Sequence, residues 1–242
     1  MEDNPAMKIL ATLPTYNEAG NIEPLITELL ALDPRIHVLV VDDDSPDGTW
    51  RIVEKMASGE ARVHLIHRTN ERGRGTAGLA AFCYARDEGY DAAIEMDADY
   101  SHHPRFVVSL LEPVLDGKAD IVVGSRLVEG GGEVGRHPAR KLITLAANCY
   151  IRMLLRLPVR DCTTGFRVFS RSALKQIPWE QLRARGPEIV QEVLIAAQKA
   201  GLRIVERPIT FEERREGQST FNWRIMRNSL KFVWENRARG RG

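Results

Sequence analysis

Through the first half of the chain, short apolar runs alternate with longer stretches in which apolar positions recur every three to four residues. The runs at 8–13, 37–41, 63–67, 92–96 and 120–124 are nearly continuous in Val, Ile, Leu, Ala and Met, as strands buried on both faces would be. The stretches between them, at 22–32, 48–57, 74–88 and 104–115, carry helical periodicity and are long enough for right-handed crossovers. This alternation predicts a doubly wound, mostly parallel sheet flanked by helices, a Rossmann-like α/β arrangement. After residue 125 the rhythm breaks at a loop with Gly130, Gly131, Gly132 and Gly135, a composition that suits a segment closing over a ligand. Beyond it the pattern predicts a helix at 140–157, a turn at 161–165, a strand at 166–170, a helix at 188–200, a strand pair within 203–212 and a helix at 223–237.

Length and composition narrow the picture. A chain of 242 residues with 43% hydrophobic content can bury one sizeable core, so residues 1–242 are expected to form a single domain. Lys and Arg number 34 against 33 Asp and Glu, which leaves no overall field to gather nucleic acid; any anion site must be local. Cys83, Cys149 and Cys162 are scattered and outside any C-x-x-C spacing, which argues against a disulfide framework or zinc site and for a reducing, cytoplasmic compartment. The first residues hold Glu2, Asp3 and Pro5 where a secretory signal would need basic residues and an apolar run. Nor does any later stretch supply the roughly 20 uncharged apolar residues that span a bilayer.

The residues just after the strands carry the chemistry, because open α/β sheets bind ligands outside the carboxyl ends of their strands. The second predicted strand runs into Asp42, Asp43, Asp44, Ser45, Pro46, Asp47 and Gly48, and the fourth into Asp97, Ala98 and Asp99. Two carboxylates about 6 Å apart repel by roughly 3 kcal/mol at an effective dielectric of about 20, a cost that a divalent cation reverses. Hard oxygen donors favour Mg2+ or Mn2+ with a shell shared by phosphates, so a nucleotide diphosphate would complete the site. An isolated D-x-D is more often a solvated turn; its position after an apolar strand favours the metal. Asp47 is the expected cap of the following helix, leaving Asp43 to face the cleft, and His102 and His103 before Pro104 read as helix-entry residues.

Three motifs in order carry a resemblance. Pro14, Thr15, Tyr16, Asn17 and Glu18; Val41, Asp42 and Asp43 with Ser45, Pro46, Asp47, Gly48 and Thr49; and MDADYSHHP at 96–104 together resemble family 2 inverting glycosyltransferases. More narrowly they look like dolichol-phosphate (polyprenol-phosphate) mannose synthases, over about residues 8–232, with Asp161, Thr163, Gly165, Phe166 and Arg167 extending the match. The resemblance implies a GT-A-type fold with a nucleotide-sugar half at about 8–125 and an acceptor half at about 126–237. It places the donor nucleoside on Pro14, Tyr16, Glu18, Val41 and Asp43, the metal on Asp97 and Asp99, and the donor on Ala98. It places Arg126 and Arg214 on the donor phosphates, which makes Asp99, Arg126 and Arg214 the implied catalytic set. Where the family has a lysine six residues after that last arginine, this chain has Thr220, a hydroxyl in place of a point charge, with Arg215 and Arg224 nearby.

The implied reaction moves mannose from GDP-mannose to dolichyl or polyprenyl phosphate. A lipid monophosphate, with a second pKa of about 6, is largely dianionic at neutral pH and can attack without a general base, so none is assigned; Glu192 is the nearest candidate. At 140–157, Thr144, Asn148, Arg152 and Arg156 share a stripe, while Leu142, Leu145, Ala146, Met153 and Leu157 occupy other faces, the pattern of an amphipathic helix with a basic edge. From pattern alone it is equally a helix packed on the core. The resemblance makes it interfacial, with Arg140 and Lys141 near the acceptor phosphate. The segment 223–237 is a second amphipathic helix, with Met226, Leu230, Val233 and Trp234 opposite Arg227, Asn228, Lys231 and Glu235. Attachment is then expected to be peripheral on the cytoplasmic membrane face, or lent by a membrane-anchoring partner protein. A UDP-glucose-type donor, a soluble acceptor and a non-catalytic sugar-nucleotide-binding subunit stay open as alternatives.

Overall fold

The computed structural model describes residues 7–212 and 223–237. In chain order its elements are β1 (Ile9–Thr15), α1 (Ile22–Leu32), β2 (Ile36–Asp42), α2 (Thr49–Gly59), β3 (Val63–His67), α3 (Arg74–Asp87), β4 (Ala92–Glu95), α4 (Val107–Leu115), β5 (Ile121–Ser125) and β6 (Gly132–Val134). There follow α5 (Pro138–Leu155), β7 (Arg167–Ser170), α6 (Arg171–Gln176), α7 (Ile189–Lys199), β8 (Ile204–Pro208), β9 (Thr210–Glu212) and α8 (Trp223–Asn236). The main sheet runs β3-β2-β1-β4-β7-β5-β8, parallel throughout except for β7, which is antiparallel to both neighbours. Strand alternation divides the core. Leu10, Leu39 and Val41 pack on one face with Phe82, Leu155 and Leu194, while Ile9, Ala11, Val38 and Val40 pack on the other with Leu25, Leu29 and Leu110.

The five expected N-terminal strands and four crossover helices form within a few residues of their predicted limits. The C-terminal half departs from expectation in its pairing. The strand at 166–170 enters the middle of the sheet as β7, between β4 and β5 and antiparallel to both. The 203–212 segment does not pair with itself. β8 joins β5, and β9 pairs with β6, which lies inside the glycine-rich loop expected to be irregular. Ile209 stitches the two together: its N–H donates to Ser125 O and its carbonyl accepts from Gly132 N, both at 3.0 Å. Among the described residues no helix is long and apolar enough to cross a membrane.

On the sheet end away from the acidic loops, His37 Nδ1 faces His64 Nε2 at 3.2 Å, and the Tyr90 hydroxyl lies 3.4 and 3.3 Å from the two rings. Burial, then the partner imidazole and the positive charges of Lys8 and Arg62, hold His37 below the usual imidazole range against Glu60. Burial also lowers His64, with Lys8 adding to it and Glu88 opposing. The folded state therefore binds fewer protons here than the unfolded chain, and this part of the stability, full above the ordinary value of about 6.5, is lost as pH falls through the lowered values. The drop in melting temperature between pH 7.5 and 5.5 is expected to be smaller in His64→Gln than in the parent. An equal drop in both would show that the pair does not contribute.

Candidate active site

The first two strand ends are locked together by one buried carboxylate. Asp42, the last residue of β2, accepts from Thr15 Oγ1 and Ser45 Oγ, each at 2.7 Å, and from Ser45 N at 2.8 Å. Ser45 Oγ in turn accepts from Asn17 N at 3.0 Å. Asp47 accepts from Thr49 N and Ala19 N, both at 3.0 Å. The cap position of α2 itself is Gly48, at φ +82°, so Asp47 secures the turn from one residue upstream instead of capping the helix as expected. Asp43, freed from these duties, turns into the cleft, where its Oδ2 accepts from Gly73 N at 2.8 Å and its Oδ1 pairs with Arg68.

β4 ends two residues before the acidic turn. Asp97, Ala98 and Asp99 line a cleft of about 190 Å³ with Pro14, Thr15, Tyr16, Glu18, Asp43, Arg74 and Ala77. Tyr100, at φ +62°, bends the chain sharply, and Asp99 Oδ1 accepts from Ser101 N at 3.0 Å. His102 is buried; its Nδ1 accepts from Asp97 N at 3.1 Å, which leaves the proton on Nε2, and burial pushes its pKa below the ordinary value despite Asp97 and Asp99. Arg74, the first residue of α3, reaches Asp97 Oδ1 with Nε at 3.1 Å and Nη2 at 2.5 Å. The charge of Asp97, with Glu95 and Asp99 behind it, raises Arg74 further above its already high value. A side chain at Gly165 would run into this guanidinium, so the glycine is what lets Arg74 reach the turn.

Arg126 follows β5. Its Nε and Nη2 grip Asp161 at 2.7 and 2.8 Å, Nη2 donates to Thr163 Oγ1 at 2.6 Å, and Nη1 donates to Glu133 at 3.2 Å. Burial is the largest single influence on both and opposes both charges, yet the partner's charge and the hydrogen bonds together outweigh it: Asp161 is held below the carboxylate range and Arg126 above its own. Asp97 adds to the raising of Arg126, which links this cluster to the acidic turn. The result is a cleft lined by a carboxylate pair whose charge reaches a fixed guanidinium outside the cleft lining, an arrangement suited to a diphosphate and a divalent ion. Among the described residues no further His, Cys, Asp or Glu joins Asp97 and Asp99 in a closed ligand set. An ion held there would take its remaining positions from phosphate oxygens and water, the habit of Mg2+ and Mn2+.

Comparison with known proteins places this geometry. The profile of Glycosyl transferase family 2 matches residues 11–178. The chain is 38% identical over 238 residues to undecaprenyl-phosphate mannosyltransferase of Micrococcus luteus, spanning 98% of this chain and 97% of that protein. It is equally 38% identical over 239 residues to polyprenol monophosphomannose synthase of Mycolicibacterium smegmatis, spanning 98% and 89%. The chain belongs to glycosyl transferase family 2. Its fold is similar to crystal structures of glucosyl-3-phosphoglycerate synthase from Mycobacterium tuberculosis. The complex with phosphoglyceric acid gives a TM-score of 0.68 at 21% identity, covering 97% of this chain and 80% of that one. The complex with Mn2+, uridine diphosphate and glucosyl-3-phosphoglycerate gives 0.67 at 21%, covering 95% and 78%. The GT-A-type sheet expected from the sequence is thus the sheet of this family 2 glycosyltransferase.

The transferase gathers most of the residues that the sequence singled out. Pro14, Tyr16, Glu18, Asp43, Asp97, Ala98 and Asp99 share the cleft. Val41 does not: strand alternation turns its side chain into the core with Leu10 and Leu39. Arg214 and Thr220 lie outside the described residues. Glu192 is spent elsewhere, its Oε2 accepting from Arg183 N and Ala184 N at 3.0 and 2.8 Å. Lys141 donates to the Glu133 carbonyl at 2.8 Å, and Arg140 is half-buried in the first turn of α5.

The polar stripe of α5 turns out to face the protein at its start. Asn148 is buried, its Oδ1 accepting from Cys162 N at 2.6 Å, while Leu142, Leu145 and Met153 are 68, 54 and 68% exposed. Positions four apart advance about 40° per step, so the stripe drifts: Asn148 packs on the Asp161 turn and Arg152 and Arg156 emerge into solvent. On α8, Val233 is buried while Leu230 and Trp234, expected on the same face, are exposed; the side chains of Met226 and Asn228 lie outside the described residues. Sequence reasoning missed Arg68, Arg74, Glu133, Arg136 and Phe211. Only the basic, glycine-spaced run Arg72, Gly73, Arg74, Gly75 before a helix offered a signal for any of them.

Proposed function

We propose that this transferase moves mannose from GDP-mannose to a polyprenyl phosphate, with inversion at the anomeric carbon. The observation that carries the reading is the acidic turn Asp97, Ala98, Asp99 lining the cleft, with Asp97 acting electrostatically on the anchored Arg126, in a chain 38% identical over almost its whole length to two enzymes named for polyprenyl-phosphate mannosylation. Residues 8–125 serve the donor and residues 126–237 the acceptor. Pro14, Tyr16, Glu18 and Asp43 hold the nucleoside, and Arg126, with Arg214, takes the diphosphate. Asp97 and Asp99 would hold a divalent ion, Mg2+ or Mn2+, which would supply charge neutralisation of the diphosphate. An acceptor phosphate oxygen forms the bond to the anomeric carbon as the bond to GDP breaks. GDP leaves with the electron pair. The attacking dianion brings no proton, so transfer to this acceptor needs no general base.

The acceptor lies in a bilayer, and the exposed Leu142, Leu145 and Met153 of α5 give the protein a face for the cytoplasmic membrane surface, as a peripheral protein. Incubation of the full chain with labelled GDP-mannose, Mg2+ or Mn2+ and polyprenyl phosphate is expected to move label into the organic phase. Lipid-linked product from UDP-glucose and none from GDP-mannose would replace the donor; product on neither would end the reading.

A further inference from the structure

β6 carries a carboxylate into the protein. The Glu133 side chain is 6% exposed, and its Oε1 accepts from Arg136 Nη1 at 2.6 Å and from Arg126 Nη1 at 3.2 Å. Its Oε2 is buried and has no hydrogen-bond partner among the described residues. Both guanidiniums lie over the ring of Phe211 on β9, 5.6 Å from its centroid for Arg126 and 5.1 Å for Arg136. Two hydroxyls complete the surroundings: Thr144, which accepts from Arg136 Nη1 at 3.1 Å, and Thr163, which accepts from Arg126 Nη2 at 2.6 Å. Glu133 thus sits between Arg136 and the Nη1 edge of Arg126, whose Nε and Nη2 are held by Asp161, and leaves one of its own oxygens unmatched among the described residues. A phosphate monoester has three terminal oxygens and a charge of about −1.5 to −2 at neutral pH, so it can take Arg136 and the Nη1 of Arg126 together with an oxygen to spare for Thr144.

The position of this pocket gives it a role. The Phe211 ring meets His102 edge-on at 6.0 Å, and His102 accepts from the backbone of Asp97, so an anion between the two arginines adjoins the acidic turn. We propose that Arg136 and the Nη1 edge of Arg126 form the binding site for the acceptor's phosphate monoester, with Arg126 shared between that phosphate and the donor diphosphate, that Glu133 occupies the site as an internal stand-in, and that the arriving acceptor displaces Glu133. This rests on the reading of the acceptor as a lipid phosphate. The strand that carries Glu133 lies outside the main sheet. β6 pairs with β9 alone and is flanked by Gly130 and Gly135 at φ +81° and +76°. Gly131 passes so close to Ser125 O that a Cβ would come within 2.5 Å, which keeps the loop tight against Arg126 while Glu133 is in place. Lys141 tethers the Glu133 carbonyl to α5 and so couples the strand to the helix that faces the membrane.

Because Glu133 must leave before a phosphate enters, the apparent affinity for the anion is reduced by the fraction of molecules in which the site is vacant. Calorimetric titration of inorganic phosphate into the full chain tests this without any sugar transfer. Glu133→Gln keeps the shape and removes the charge; it is expected to bind phosphate about tenfold tighter and to lower the KM for polyprenyl phosphate in proportion. Arg136→Gln is expected to bind phosphate about tenfold more weakly and to raise that KM, with GDP affinity unchanged. Should Glu133→Gln fold poorly, Glu133→Ala makes the same comparison. Phosphate affinities within twofold of the parent in either the Glu133 or the Arg136 variant would overturn the proposal. Tenfold shifts in phosphate affinity in a protein that mannosylates no polyprenyl phosphate would keep the anion site and remove the lipid acceptor from it.

Discussion

Asp99→Asn is expected to reduce sugar transfer by at least about a hundredfold while leaving the fold intact, the scale of loss seen when one electrostatic stabiliser is removed from an active site. Asp99 is buried and lines the cleft, and its Oδ1 accepts from Ser101 N at 3.0 Å. An asparagine oxygen can accept the same bond in the same volume, so the turn that Tyr100 bends should survive. What disappears is half of the carboxylate charge that would hold a divalent ion against the diphosphate. Asp97→Asn is the less clean probe, because it also loosens Arg74 from the turn. Initial rates at saturating donor across a Mn2+ titration, with a melting curve on the same sample, separate the two effects. Unchanged turnover with an unchanged melting temperature would remove Asp99 from the metal and catalytic roles.

The largest effect on stability is expected one layer below. Arg167 on β7 and Glu95 on β4 stand opposite each other in the antiparallel pairing, both almost fully buried, and form an ion pair through Nε at 2.8 Å and through Nη2. Arg167 Nη1 donates to Val190 O at 3.3 Å, and its guanidinium lies 5.2 Å from the Phe169 ring centroid. Burial pulls the arginine below its usual pKa against the raising effect of Glu95, which shows how costly this charge would be without its partner. Arg167→Met strands the Glu95 carboxylate and is expected to cost about 3–5 kcal/mol, a fall of roughly 6–20 °C in melting temperature for a chain of this size. Glu95→Gln combined with Arg167→Met removes both charges and should recover part of that loss. Denaturant midpoints of the parent, the single and the double variants measure the coupling. A single variant that loses less than about 1 kcal/mol would show the pair to be dispensable.

These two positions mark where sequence reading stops. Asp99 was legible because its signal is local: an apolar strand followed at once by two carboxylates, at the sheet end where ligands bind. Glu95 and Arg167 each lay in a strand that the pattern predicted, yet nothing in either strand announced the other. They are 72 residues apart, and their meeting depends on β7 entering the sheet reversed. Periodicity reports which face of a strand is buried; it carries no information about neighbour or direction. The pairing of β6 with β9 escaped for the same reason, and with it the placement of Glu133 between Arg126 and Arg136.

The sequence by itself determined the strand and helix alternation of the donor half, the parallel sheet, and the acidic residues at the ends of β2 and β4. Each of these is written in contiguous residues, where apolar continuity, helical period and turn chemistry act over a few positions. Only the tertiary structure decided how the charges are matched: Arg74 on Asp97, Arg68 on Asp43, Asp161 on Arg126, and Glu133 in the arginine pocket. It also turned Val41 inward and reversed the outlook of Asn148 on α5. A buried or half-buried charge takes the partner that the closed fold brings within about 3 Å, and which partner that is depends on the packing of the whole sheet.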